Sequence, residues 1–171
     1  MASLGRWFAG ILILSLLGCG YRPVGLEEPT AQERPVIAIP LFNNRSTEIG
    51  LESLLANTFI QTFSQNKAWR IVTQPQSADL VLEGNVQSVE NRSIAFFDIN
   101  RSLVRRVTIQ VELKLKRRET GKIIWKETAT FYEDYAVDPN YQAGEASKNM
   151  GIRRGAVILA RRMLDKIALV L

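Results

Sequence analysis

Histidine is absent from this 171-residue chain, and cysteine occurs once, at Cys19. Without histidine there is no Ser-His-Asp or Cys-His catalysis, no common zinc site, and no ordinary general base near neutral pH. One cysteine allows no internal disulfide and no zinc or redox cluster. The chain must hold itself together by packing, and its chemistry is expected to be binding. No catalytic residue, cofactor or metal site is expected. Asp79, Glu83, Glu90, Asp98, Asp134 and Asp138 supply carboxylates, but nothing in their spacing marks an acid–base pair.

Long apolar runs are scarce too. The clearest one covers residues 7–17, behind the basic Arg6 and ahead of Gly18-Cys19. A positive start, roughly 7–15 apolar residues and a small residue before the cleavage point make a secretory signal. The run is shorter than the about 20 apolar residues a membrane-spanning helix needs. The lone cysteine falls directly after the small residue, which is the pattern of a bacterial lipoprotein. Residues 1–18 are therefore expected to be removed and Cys19 to become the lipidated first residue. Several acyl chains on one cysteine, at about 0.8 kcal/mol per buried CH2, anchor a protein durably. Gly20 stands where an Asp often retains such proteins at the inner membrane, so the expected location is the outer membrane.

Charge is the next bound. The net charge is +5, and losing Arg6 with the signal takes it to +4. An excess of positive charge favours an anionic partner. In an exported protein that means lipid phosphate or acidic polysaccharide rather than nucleic acid. The remaining ~150 residues suffice for one domain with its own core.

Residues 19–34 hold Pro23, Gly25 and Pro29 with few large apolar side chains, and they read as a lipidated tether. Residues 35–171 read as a single domain. Pro35-Val36-Ile37-Ala38-Ile39-Pro40 is an apolar run between prolines, a buried strand. After a turn at Asn43 to Ser46, with Ser46 or Thr47 as cap, a helix is expected over 48–66. Its apolar stripe is Leu51, Leu54, Leu55, Phe59 and Phe63. Trp69 to Val72 is a short strand, and residues 78–90 form another. Over 106–116, Val107, Ile109, Val111, Leu113 and Leu115 alternate with polar residues, giving a strand with one wet face. Gly121 serves a hairpin turn, and the return strand starts at Ile123, with Glu127 breaking its alternation and predicting a bulge or a local edge there. A last helix is expected from about 144 to 169, with Ala146, Met150, Val157, Ala160, Leu164 and Ala168 on one side and Ile152, Ala156, Leu159, Met163, Ile167 and Val170 widening the apolar stripe. This order predicts an α+β, two-layer sandwich, with two helices on one face of a mostly antiparallel four- to five-stranded sheet.

Several of these segments together resemble the lipopolysaccharide-assembly lipoprotein family, the LptE-like proteins. They are Gly18-Cys19-Gly20-Tyr21, the run Ile37-Ala38-Ile39-Pro40-Leu41-Phe42-Asn43-Asn44, Ile49-Gly50-Leu51-Glu52, and Ala78-Asp79-Leu80-Val81-Leu82-Glu83-Gly84. They occur in family order across nearly the whole mature chain. The resemblance implies a non-enzymatic outer-membrane lipoprotein that plugs and helps assemble the lipopolysaccharide-inserting β-barrel and contacts lipopolysaccharide. Its domain would face the periplasm or the barrel lumen. Lipoproteins that activate envelope synthases or build secretion pores share the opening strand, turn and helix, and they are the alternative.

The candidate ligand residues are Lys114, Lys116, Arg117, Arg118 and Lys122 at the hairpin, with Arg105 and Arg106 at the strand's other end. Arginine can bond two phosphate oxygens at once, and lysine offers a point charge. A single exposed charge pair contributes only about 0–1 kcal/mol, so several must act together. The competing account is a strand edge kept soluble by charge. Tyr132, Tyr135 and Tyr141 are either interface anchors or ordinary packing.

Overall fold

The computed structural model describes residues 34–98 and 101–171. The signal segment, Cys19 and nearly all of the tether lie outside the described residues. Six strands and two helices follow in the order β1 (Val36–Ala38), β2 (Asn43–Asn44), α1 (Leu51–Ser64), β3 (Arg70–Val72), β4 (Leu80–Asp98), β5 (Arg101–Arg117), β6 (Ile123–Ala136) and α2 (Tyr141–Ala168). The sheet order is β3-β1-β4-β5-β6, with β2 also paired to β4. The two-helix α+β class stands as expected.

The sheet itself differs from expectation. It is mixed and six-stranded, because β1 pairs parallel with both β3 and β4, and β2 pairs parallel with β4. The cause is the β1–α1–β3 segment: a helix carries the chain back along the sheet, and such a crossover makes its two strands parallel. Antiparallel pairing is confined to β4–β5 and β5–β6.

Both helices contribute to the main core. Leu55, Phe59 and Phe63 of α1 and Ile152, Leu159, Met163 and Ile167 of α2 cluster with Ile37, Leu82, Ile109, Val111 and Leu113 of the sheet. The opposite face is open except at β1, where Val36, Ala38, Ala78 and Val81 form a small second cluster. Phe42, in the β1–β2 connection, lies on Gly84 of β4. Its ring meets Phe59 at 5.3 Å, Phe59 stacks on Phe63 at 5.8 Å, and Phe63 meets Trp69 at 5.7 Å.

The segments that carry the family resemblance have identifiable structural work. The Asp79 carboxylate accepts from Val36 N at 2.8 Å, joining the starts of β1 and β4. Asn44 donates to the Glu48 carbonyl and to Glu52 Oε2, both at 2.8 Å. It also accepts from Ser46 N and Oγ. That network occupies Ser46, so α1 begins at Leu51 with Gly50 as its N-cap rather than a side-chain cap near 46–47. In α2, Asn140 caps by accepting from Gln142 N and Ala143 N, and the helix starts three residues earlier than its apolar stripe suggests.

Lys148 ties the two helices' N-terminal ends together. It is 7% exposed and bonds Glu48 and Glu145, each at 2.8 Å. Burial alone would lower its pKa, but hydrogen bonds with Glu145 and Glu48 outweigh that and hold it above the ordinary 10.5. The linked stability is present below the ordinary lysine value and disappears as pH rises through the higher folded one. Lys148→Met leaves two carboxylates uncompensated and is expected to cost about 1–3 kcal/mol. Urea unfolding at pH 7 and pH 11 checks this: the difference between wild type and variant should shrink at pH 11.

Candidate functional site

From Val107 to Leu115, alternation along β5 sends odd-numbered side chains into the core and even-numbered ones to the open face. Arg106, Glu112, Lys114 and Lys116 therefore project from the open face. Their neighbours on β4 and β6 are set by register: Lys116 lies opposite Val81 and two pairs from Glu83, Glu112 opposite Thr128, and Arg106 opposite Asp134.

Most of these charges are already matched. Arg106 bonds both oxygens of Asp134, at 2.6 and 2.9 Å, and its guanidinium lies 4.4 Å from the Tyr132 ring centroid. Lys114 and Lys126 both bond Glu112, at 2.6 and 2.7 Å. Those two hydrogen bonds hold the Glu112 carboxyl at about 2, far below the ordinary range. Lys116 bonds Glu83 at 2.5 Å. Arg118 is half committed: its Nε donates to the Ala78 carbonyl at 2.7 Å, and its Nη2 lies 3.6 Å from Glu119.

Arg105, Arg117 and Lys122 remain without an ion pair among the described residues. Arg117 and Lys122 flank the β5–β6 turn, closed by Lys122 O accepting from Arg117 N at 2.9 Å, with Gly121 at φ 66°. Arg105 and Arg106 stand on opposite faces of β5. Eleven and twelve residues at about 3.4 Å each put Arg106 and Arg105 ~37 and ~41 Å from Arg117. Arg105 and Arg106 thus stand apart from the other five candidates, of which Lys114 and Lys116 lie on the last residues of β5 and Arg117, Arg118 and Lys122 at the turn.

The tyrosines separate as well. Tyr135 is buried in the core, with its hydroxyl 3.4 Å from Asn91 Oδ1. Tyr132 lies on the open face under Arg106, and Tyr141 is exposed at the start of α2. Beyond the part of the sheet covered by helices, the β4–β5 ribbon exposes Ile94, Phe96, Phe97 and Leu103. The alternation that marks 106–116 fades there, so this extension went unrecognised in the sequence. Also unrecognised was a hollow of about 330 Å3 on the open face, between the β1–β2 connection and strands β4 and β5. Arg45 and Asn85 line it, and only the turn composition around Asn43 hinted at a structured loop. No group of three or more potential metal ligands occurs among the described residues. No helix among them is long and apolar enough to cross a membrane.

Two helices packed on one mixed sheet are an arrangement that solved structures share. The chain shares it with rare lipoprotein B from Shewanella oneidensis, at 16% identity over 78% of this chain and 93% of that one, TM-score 0.52. A Caulobacter crescentus chain assigned as a lipoprotein matches at 16% identity over 75% of this chain and 88% of that one, TM-score 0.54. At such identities the likeness is one of fold. No curated relative matches the chain by sequence. The sequence model of the lipopolysaccharide-assembly (LptE) family, however, matches residues 35–167. This chain belongs to the LptE family of lipopolysaccharide-assembly lipoproteins.

Proposed function

We propose that the protein is anchored in the outer membrane through a lipidated Cys19 and partners the β-barrel that inserts lipopolysaccharide. In that role it acts as plug and assembly factor, facing the periplasm or the barrel lumen. The observation that carries this reading is the family match across 35–167. The exposed Ile94, Phe96 and Leu103 of the ribbon support it, because a run of apolar side chains on a narrow ribbon suits burial against a protein partner. Within this reading, lipopolysaccharide phosphates are contacted by Arg117, Arg118 and Lys122 first. Arg106, Lys114 and Lys116 are secondary, since each already sits in an ion pair and must give up that partner, and Arg105 is secondary because it stands far from the turn.

Two measurements test the proposal. Pull-down of the tagged, lipidated protein from detergent-solubilised outer membrane should recover a β-barrel. Recovery of an envelope synthase or a self-assembled ring instead would replace the reading. The double variant Arg117→Glu/Lys122→Glu leaves the Arg118–Ala78 bond intact. It should weaken lipopolysaccharide binding by about five- to tenfold, the sum of two exposed charge contacts. Unchanged affinity would remove the turn from the ligand site.

A further inference from the structure

The outer surface of α2 has no part in the site described above. At about 100° per residue, Ile152, Gly155, Ala156, Leu159, Met163 and Ile167 gather on one half of the helix, the buried half. Arg153, Arg154, Arg161 and Arg162 fall on the other half, and all four are exposed. The two arginine pairs stand about 12 Å apart along the axis. Acidic neighbours are few: from Ser147 to Leu171 the sequence holds one acid, Asp165. Arg154 reaches Glu133 at 3.5 Å. Arg153, Arg161 and Arg162 make no ion pair among the described residues.

A cationic strip is ordinarily a solvated flank. Apolar surface among the arginines sets this one apart. Met150 is 57% exposed and Ile158 64%, and both lie on the arginine half of the helix. Along the strip Met150, Arg154, Ile158 and Arg161 follow one another at i+4, i+4 and i+3 steps, so hydrocarbon and cation alternate turn by turn. Val157 and Leu164, both half-buried, border it. An acidic polymer would pair with the arginines and leave Met150 and Ile158 in water. A bilayer interface meets both needs. Lipid phosphates bond the guanidinium groups, and the apolar side chains enter the boundary between headgroups and acyl chains. The aliphatic stems of the arginines can lie along that same boundary. With 28 residues, about 42 Å, the helix is long enough to lie along such a surface.

We propose that the outer half of α2 docks on an anionic phospholipid bilayer, with the helix parallel to the membrane surface. Arg153, Arg154, Arg161 and Arg162 contact lipid phosphates, and Met150 and Ile158 enter the interface. The inference does not rest on the function proposed above, because neither a β-barrel nor lipopolysaccharide takes part.

The test uses the mature chain with Cys19→Ser, so that acyl chains cannot carry it to lipid. Vesicles of phosphatidylethanolamine and phosphatidylglycerol should float the protein, with affinity at least about tenfold above that for phosphatidylcholine vesicles. An arginine near an anionic surface is worth about fivefold in binding, so Arg153→Gln/Arg161→Gln/Arg162→Gln should lose about a hundredfold. Arg45→Gln/Arg70→Gln/Arg92→Gln removes the same charge from exposed positions on other elements. Because charge acts over only about 10 Å at moderate salt, that variant should lose less than about threefold. Ile158→Trp reads insertion: its emission should shift to the blue on anionic vesicles and be quenched by bromine on the acyl chains, beyond the signal of Trp69 and Trp125. Every altered side chain is exposed, so all three variants should unfold at wild-type urea concentrations, which separates lost binding from lost folding. Absence of flotation, equal binding to both kinds of vesicle, or equal losses in the two triple variants overturns the proposal. So does heparin binding as tight as vesicle binding, or no quenching in Ile158→Trp.

Discussion

Gly84→Val should destabilise the domain by about 3 kcal/mol or more, seen as a large fall in the urea midpoint followed by tryptophan fluorescence. A Cβ at this position would sit inside the Phe42 ring, in contact with three of its carbons. The ring cannot swing away: Phe42 is 3% exposed and held on its other side by Phe59, which is fully buried. Overpacking a tight core usually costs about 1–3 kcal/mol, and a β-branched side chain against an immobile ring lies at or beyond the upper end. The clash has one identifiable partner, so a double-mutant cycle isolates it. Phe42→Ala alone should cost about 3–5 kcal/mol through the cavity it opens. Gly84→Val/Phe42→Ala should be more stable than the sum of the single changes by at least about 1 kcal/mol. Additive costs would mean that the ring and the strand do not oppose each other.

This pairing also explains why the family resemblance rests where it does. Phe42, Asn44, Glu52, Asp79 and Gly84 lie in three separate segments of the chain, yet each meets another part of the fold across a strand or loop. They specify how β1, its connection and α1 seat on β4. The resemblance is therefore a statement about architecture, and the ligand residues must be sought elsewhere.

The local patterns were readable because their causes are local. The α1 stripe of Leu51, Leu55, Phe59 and Phe63 is buried, and every odd apolar residue from Val107 to Leu115 faces the core. Gly121 has the positive φ its turn requires. What was not readable depends on partners distant in sequence. Glu127 looks like a break in β6, but it pairs in regular register with Leu113, and its carboxylate reaches Lys166 of α2 at 2.6 Å. The irregularity lies instead near Ile124, opposite the step from Leu115 to Lys116. The same holds for charge. The basic residues of β5 are countable in the sequence, but cross-strand register determines that Arg106 meets Asp134 and that Lys114 and Lys126 share Glu112. Asn85 and Arg45, forty residues apart, come to one hollow only because β2 pairs parallel with β4.

The last helix shows the limit most sharply, and it yields the second large effect. Ile152, Ala156, Leu159, Met163 and Ile167 are buried as their spacing predicts, whereas Met150 is largely exposed. Gly151 and Gly155, invisible to a hydrophobic count, are buried too, because they are where α2 lies against β6. A Cβ on Gly155 would come within 2.5 and 2.8 Å of two Phe131 ring carbons and 3.1 Å of Glu133 Cγ. Helix propensity alone would reward Gly155→Ala by about 1 kcal/mol. Here the clash should reverse the sign, and Gly155→Val should cost about 3 kcal/mol by lifting the helix from the edge strand. Gly144 is the internal control. It lies in the same helix, and an added Cβ would meet only Asp138 backbone atoms at 3.6–3.7 Å, ordinary contact distances. Gly144→Ala should therefore raise the urea midpoint while Gly155→Ala lowers it. Because the two substitutions are chemically identical and share one helix, a shift of the same sign in both would mean that propensity, not contact with Phe131, decides the stability of α2.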